Sequence, residues 1–169
     1  MNKNIHIYWD GPYGLNDLTD LQDTTRDYGI YQIYGGHPVY GSMVLLYIGK
    51  AERQTFGIRI AQENWFVNRN AGELKIYVGR LAGLNQISDE EWAQEIALAE
   101  KLLIYSHTPA CNIQFITLSN DQSLEDIHVL NWGNHCDLMA EVSGRRWSSK
   151  YQSQLLEEYR YQNHSEVGE

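Results

Sequence analysis

The chain has few of the residues that mark secreted, membrane-spanning or low-complexity proteins. Its 169 residues include only two cysteines, Cys111 and Cys136, and three prolines, and no apolar run is long enough to cross a bilayer. Two distant cysteines do not make a disulfide framework, so a reducing cytoplasm is the expected location and no membrane partner is expected. With 43% hydrophobic residues the chain can bury one ordinary core, which predicts a single domain over residues 1–169.

Positive charge is also scarce. Thirteen basic residues stand against 22 acidic ones, for a net charge of -9. Residues 28–112 hold seven basic and eight acidic residues, whereas residues 1–27 hold two and five, and residues 113–169 hold four and nine. The middle of the chain is nearly neutral and its ends are acidic. This balance weighs against tight nonspecific binding of nucleic acid more than against chemistry on a single phosphate.

Two runs of strand-forming residues lie in this middle part. Tyr28 to Tyr34 is built of β-branched and aromatic residues with one glycine and one glutamine, and Met43 to Ile48 is strongly apolar. Between them lies Gly35-Gly36-His37-Pro38, which is typical of a loop. The pattern predicts one β-hairpin, and antiparallel pairing would allow Tyr31 and Tyr47 to share one face.

A carboxylate is predicted within the apolar stripe of a later helix. Ser88 followed by Glu91 has the form of a capping box, so a helix should begin at Asp89. At about 100° per residue, Glu100 has five apolar neighbours on that helix: Ala93, Ile96, Ala97, Leu103 and Ile104. An ionised carboxylate there is costly unless it is paired or binds a metal. On this pattern alone, a buried salt bridge with Arg59 and a divalent-metal ligand are both open.

The order of these motifs resembles that of the GIY-YIG nuclease family. Gly29-Ile30-Tyr31 and Tyr47-Ile48-Gly49 each end a strand-like run, sixteen residues apart. Arg59 follows in a segment with a helical pattern. Glu100 lies twelve residues before Asn112, which is the last residue of a Pro-x-x-Asn turn. The resemblance implies an α/β fold, a small mixed sheet with flanking helices. Its nuclease-like core would cover residues 28–112, with extensions at residues 1–27 and 113–169.

The resemblance also implies a metal-dependent DNA endonuclease, a hydrolase of phosphodiester bonds. Tyr31 would be the general base, Tyr47 would position water or the scissile phosphate, and Glu100 would bind one Mg²⁺ or Mn²⁺. The other catalytic residues implied are Lys50, Arg59 and Asn112. Further DNA contacts are expected from four basic residues: Arg53, Lys101, Arg145 and Arg146. DNA is the expected partner, with a homodimer as an option.

Two positions depart from the family pattern. Arg59 comes ten residues after Gly49, a longer interval than is usual, so Arg53 is an alternative for its role. Many members have a histidine one turn after the arginine, where this chain has Glu63, so either reduced activity or a different proton relay is expected. The alternative to a catalytic role for Arg59 is an i,i+4 ion pair with Glu63 on the helix surface. The alternative function is a catalytically weak DNA-binding or protein-interaction module that retains the nuclease fold.

The remaining elements are predicted from local pattern. The arginines of Gly144-Arg145-Arg146-Trp147 either contact DNA backbone phosphates or pair with Glu157 or Glu158 while Trp147 packs on the core. The other predicted elements are strands Ile5–Tyr8, Leu74–Gly79, Ile127–Leu130 and Leu138–Val142 and helices Gly57–Phe66 and Ser148–Tyr161.

Overall fold

A computed structural model describes residues 3–63, 73–117 and 122–147. Within these ranges six strands form one sheet of order β3-β2-β4-β1-β5-β6. The strands are β1 (Lys3–Tyr13), β2 (Gly29–His37), β3 (Gly41–Ala51), β4 (Lys75–Ala82), β5 (Ile127–Gly133) and β6 (Glu141–Ser143). Neighbours are antiparallel except for β1 and β5, which run parallel. The expected α/β class with a mixed sheet is confirmed.

The hairpin of β2 and β3 is confirmed. In its register Tyr31 lies opposite Gly49 and Ile33 opposite Tyr47, so the two tyrosines project from the same face on neighbouring strands. The register shifts just beyond this pair, between Ile33 and Tyr34, which is the signature of a β-bulge with Leu46 as the extra residue. In the described sheet β3 is an edge strand, because it stands at the end of the strand order, and Tyr47 lies next to the bulge.

Two helices pack on opposite faces of the sheet. Helix α2 (Asp89–His107) begins where predicted, and the Ser88 hydroxyl accepts a hydrogen bond from the Glu91 amide at 3.2 Å. It ends at Thr108, which has φ 43° and precedes Pro109. Helix α1 (Phe56–Ala61) begins one residue before the predicted start and, in the described residues, ends before Gln62. Residues 64–66 of the predicted helix lie outside the described ranges.

The alternation of β2 separates two hydrophobic clusters. Ile30 and Tyr34 face a cluster with Ile96, Leu103 and other residues of α2, and Tyr31 and Ile33 face a second cluster that contains residues of α1. The sheet is therefore covered by α2 on one face and by α1 on the other, near β2 and β3. No helix in the described ranges has the length and apolar character needed to span a membrane.

The N-terminal residues are part of the central sheet, although the sequence predicts only a short strand within an extension. Strand β1 is longer than Ile5–Tyr8 and lies between β4 and β5. Its alternate residues Ile5, Ile7 and Trp9 are all buried. The sequence pattern breaks at Asp10-Gly11, yet the strand continues past a register shift because β4 supplies hydrogen-bond partners on one side. Residues 28–112 thus do not form a complete sheet by themselves.

The segment after Asn112 supplies two more strands of that sheet. Strand β5 extends the predicted Ile127–Leu130 by three residues, and β6 is shorter than the predicted Leu138–Val142 because Leu138 is buried in a turn. The buried Asn131 side chain holds this turn: it accepts a hydrogen bond from the Trp9 indole and donates one to the Met139 carbonyl. The predicted helix Ser148–Tyr161 lies outside the described residues.

Candidate active site

A cleft of about 720 Å³ opens beside the edge strand β3, between α1 and α2. Strand β3 and the loop that follows it supply one wall, and α1, α2 and the loop after Asn112 supply the others. The lining residues are Tyr47, Lys50, Glu52, Arg53, Gln54, Arg59, Ala97, Glu100, Lys101, Gln114 and Phe115. Because helices cover both faces of the sheet at its edge, side chains from both faces can meet there.

The cleft concentrates positive charge in an acidic protein. Four of its lining residues, Lys50, Arg53, Arg59 and Lys101, are cations, whereas Glu52 and Glu100 are its two carboxylates. Four basic residues within residues 28–112 were assigned to the site from the sequence, and the structure brings all four together. A local excess of cations in a concave surface attracts an anion such as a phosphate even when the net charge of the protein is negative.

Glu100 is half-buried in the cleft wall. Its loss of hydration raises the pKa of the carboxyl to about 7, and the nearby charges of Lys50 and Arg59 offset this only in part. In the described part of the chain Glu100 makes no ion pair, so the salt bridge with Arg59 that the sequence left open as an alternative is not formed. The carboxylate lies at the margin of the buried stripe of α2 rather than in its middle, because Ala99 and Leu102 are also buried and shift the centre away.

Arg59 is held by Glu63 instead. Its Nη2 lies 2.6 Å from Glu63 Oε1, so the i,i+4 pair considered from the sequence is present, although Glu63 lies beyond the end of α1. The same Oε1 accepts a hydrogen bond from the Tyr31 hydroxyl at 3.1 Å. Glu63 therefore joins the arginine of the cleft to the first tyrosine of the paired motifs. Arg53, the alternative arginine, also lines the cleft but is exposed on the loop before α1.

The two tyrosines differ in their access to the cleft. Their ring centroids are 6.1 Å apart, but Tyr47 lines the cleft while Tyr31 is fully buried behind it. Burial, reinforced by the negative charge of Glu63, raises the pKa of both phenols above the usual value. A free phenolate is therefore disfavoured at either position, most strongly at Tyr31.

Only glycine fits at position 49, two residues after Tyr47. A Cβ at this position would lie 2.6 Å from the Tyr31 hydroxyl oxygen and from a ring carbon of Tyr47. The Tyr31 ring thus lies across the backbone of Gly49, where only glycine leaves room for it. Any larger residue would separate the two phenols, so the glycine fixes their contact.

Asn112 does not line the cleft. Its side chain accepts a hydrogen bond from the Ile48 amide at 3.0 Å and donates one to the Ile48 carbonyl at 2.9 Å. Ile48 lies between Tyr47 and Gly49, so Asn112 fixes the part of β3 that carries the site. The sequence groups Asn112 with the expected catalytic residues, whereas in the structure its side chain binds the backbone of β3. The reason is that β3 has a free edge here, whose polar groups need a partner.

Five residues of the cleft were not assigned to the site from the sequence: Glu52, Gln54, Ala97, Gln114 and Phe115. Glu52 forms an ion pair with Lys50 at 2.8 Å and, as a neighbouring negative charge, helps to raise the pKa of Glu100. Gln114 and Phe115 come two and three residues after Asn112. Glu52 could have been found as the first charged residue of the loop after the second motif. No sequence pattern indicates Gln114 and Phe115, because their position depends on how Asn112 attaches the chain to β3.

Arg145 and Arg146 lie elsewhere. They follow β6, at the opposite edge of the sheet from β3, and neither lines the cleft. Arg145 pairs with Asp126 at 3.2 Å, a partner that the sequence did not indicate, while Glu157 and Glu158 lie outside the described residues. The two arginines therefore do not extend the basic surface of the cleft.

Comparisons with known proteins give no relative for this chain. No protein-family model, no curated protein and no solved structure matches it. The resemblance to GIY-YIG nucleases thus rests on the residues and motifs of the chain itself.

Proposed function

We propose that this protein is a metal-dependent DNA endonuclease that hydrolyses phosphodiester bonds in the β3 cleft. The observation that carries the proposal is the state of Glu100. Its carboxylate is half-buried among four cationic lining residues, yet in the described part of the chain no ion pair compensates it. A buried carboxylate without a partner lowers stability, which is typical of a group retained for binding or catalysis.

The donor set fits one hard divalent cation. Glu100 would be the protein ligand, and because no group of three or more histidine, cysteine or acidic side chains surrounds a common point among the described residues, water and substrate phosphate would fill the other positions. Mg²⁺ and Mn²⁺ suit such a site, because Mg²⁺ keeps most of its water molecules and is often held by one or two carboxylates together with substrate phosphate. When bound, the cation would stabilise the negative charge that develops on the phosphate.

The cations of the cleft would hold the scissile phosphate. Arg59 is the best fixed of them, because Glu63 restrains its guanidinium and α1 carries its backbone. A planar guanidinium binds two phosphate oxygens at once, and Lys50 and Lys101 add point charges on the β3 and α2 sides. These groups are in place before the charge develops, which is the condition for electrostatic stabilisation of a transition state.

The phenols supply the proton transfer in this proposal. Tyr47, on the cleft wall, would position the attacking water or the phosphate. Tyr31 as the general base requires that its own proton pass to Glu63, whose Oε1 already accepts its hydrogen bond. In that relay a proton of the attacking water moves onto the Tyr31 oxygen, which leaves hydroxide as the nucleophile, while the Tyr31 proton passes to the Glu63 carboxylate, so no free phenolate builds up at the buried position. Glu63 would then do the work of the histidine that this chain lacks.

A plasmid-cleavage assay tests the proposal. Cleavage is expected with Mg²⁺ or Mn²⁺ and is expected to stop in EDTA. Glu100→Gln should abolish it while preserving the fold, because the amide keeps the shape but loses the charge. Glu95→Gln is the matched control, a partly buried carboxylate of the same helix that pairs with Lys3 outside the cleft. Full metal-dependent activity in Glu100→Gln would overturn the assignment of Glu100.

A binding module without catalysis is the second candidate. Two observations favour it: the net charge of -9, and the neutralisation of Arg59 by Glu63. The cleavage assay and a gel-retardation assay together separate the candidates, because a DNA-binding module would retard DNA without cutting it in any divalent metal and a protein-interaction module would do neither.

A further inference from the structure

The loop directly after Asn112 forms the rim of the cleft. Its attachment is rigid at the start, since the amides of Ala110 and Cys111 donate to the carbonyls of Leu45 and Leu46 on β3. Asn112 adds its two bonds to Ile48. Residues 113–117 therefore leave the sheet edge at a fixed point, immediately beside the cations of the cleft.

Phe115 is the aromatic residue of this rim. It lines the cleft, and its backbone has φ 64°, a left-handed conformation that aromatic residues rarely adopt. Its side chain packs against the hydrophobic cluster under α2, and Lys101 Nζ lies over the ring, 5.6 Å from the centroid. The ring is thus held in an unfavourable backbone conformation, half-buried, next to a cation that faces the same cleft. Such strain at the edge of a polar cleft is typical of a functional position.

The neighbours of Phe115 make the rim apolar. Ile113 is 87% exposed and Ile116 is 39% exposed, although both are large aliphatic residues. When a phosphate binds among the cations of the cleft, the nucleoside attached to it lies outside the group of cations. The apolar rim is the surface next to that position. Bases stack on aromatic side chains in proteins that bind single-stranded nucleic acid, and cation–π contacts contribute at such sites.

We propose that Phe115 is a base-stacking site, which holds the nucleobase next to the phosphodiester bound among Lys50, Arg59 and Lys101. The inference rests on the proposed function only in that the cleft must bind a nucleic-acid phosphate. Stacking reads the face of a base and not its edge, so the site tolerates any base sequence. It requires a base whose face is free, which selects unpaired or distorted positions over a regular duplex.

Two oligonucleotides with identical phosphates test this site. One is single-stranded DNA, and the other is a fully abasic chain of the same length. Both are titrated with the full chain in EDTA, which prevents metal-dependent cleavage, and binding is followed by fluorescence anisotropy. We expect the base-bearing strand to bind about fivefold to a hundredfold more tightly than the abasic one. Phe115→Ala should remove this difference by weakening only the base-bearing complex.

Two further variants separate stacking from folding. Phe115→Leu keeps an apolar side chain against the core but lacks an aromatic face, so it should lose the difference without a large drop in Tm. Tyr40→Ala removes an exposed aromatic residue of the β2–β3 turn, outside the cleft, and should change neither affinity.

The outcomes distinguish this site from the proposed function. Equal affinity of the native protein for both strands, or a Phe115→Leu variant that still prefers bases, would overturn the stacking site and leave the phosphate-binding cleft intact. Failure of both strands to bind would overturn the stacking site, while metal-dependent plasmid cleavage would still decide the proposed function.

Discussion

Asp27 and Glu100 are two carboxylates removed from water in the same molecule, and their surroundings are opposite. Asp27 is completely buried and fully paired: Arg80 Nη2 lies 2.7 Å from its Oδ1, and the Asp23 amide donates to its Oδ2 at 2.8 Å. Its carbonyl also accepts the amide of Phe56, the first residue of α1. Glu100 is half-buried and makes no ion pair in the described part of the chain.

The difference separates a structural charge from a charge available for binding. Asp27 sits where the loop before β2, strand β4 and helix α1 meet, and its partners satisfy it within the protein. Glu100 faces a cleft, and its dehydration is compensated only in part by cations farther away, which is why its pKa rises. A carboxylate of the first kind holds the fold together, whereas one of the second kind gains a partner only when something binds.

The largest effect is expected from breaking the structural pair. Asp27→Ala should lower the free energy of unfolding by about 3–5 kcal/mol, because it leaves the Arg80 guanidinium without its buried partner. Asp10→Ala is the matched control, since Asp10 binds the other Nη of Arg80 at 2.7 Å but is far more exposed, and it should cost about 1 kcal/mol or less. Urea denaturation of both variants measures the difference. Equal losses would show that burial does not distinguish the two partners of Arg80.

The second prediction extends the comparison to the two phenols. Tyr31→Phe removes the hydroxyl that contacts Glu63 and should slow cleavage about a hundredfold with little change in DNA affinity, because the proton relay is lost. Tyr47→Phe should weaken binding as well as turnover, since Tyr47 lines the cleft. Single-turnover rates and DNA titrations separate the two effects. A normal rate in Tyr31→Phe would assign this tyrosine to packing alone.

Glu100→Gln should have opposite effects on activity and stability. In the folded protein the pKa of Glu100 is about 7, above the ordinary value of 4.5, so its ionisation costs stability as the pH rises through 7. The amide has no charge to dehydrate, and the variant should be more stable than the native protein at pH 8, by on the order of 1–3 kcal/mol. At pH 4.5 the two should be nearly equal. A variant that is less stable at pH 8 would show that the ionised carboxylate has a stabilising partner.

The smallest effect concerns the metal itself. Mg²⁺ at about ten times its Kd should stabilise the native protein at pH 8 by about 1.4 kcal/mol, because it binds only the folded state. The gain should shrink at pH 5.5, where Glu100 is protonated, and should be absent in Glu100→Gln at both values. Thermal melts with and without EDTA measure it. An equal gain in the variant would place the metal elsewhere.

Local sequence patterns predicted the elements whose signals are short-range. The hairpin follows from β-branched runs on either side of a glycine-rich turn, and the start of α2 follows from a serine whose hydroxyl caps the helix. Of the basic residues assigned to the site from the sequence, Lys50, Arg53, Arg59 and Lys101 line the cleft, whereas Arg145 and Arg146 do not. The central place of β1 was not predicted, since pairing with β4 and β5 joins residues far apart in sequence and leaves no local pattern.

The sequence by itself determined which groups are available: two tyrosines with their glycines, a cluster of basic residues near the hairpin, and a glutamate near the apolar stripe of a helix. Tertiary structure alone decided their states. It buried Tyr31 and left Tyr47 on the cleft wall, gave Glu63 rather than Glu100 to Arg59, and turned Asn112 toward the backbone of β3. The physical reason is that hydration, pairing and pKa depend on distances between elements, which the packing of α1 and α2 around the sheet edge sets and no single segment encodes.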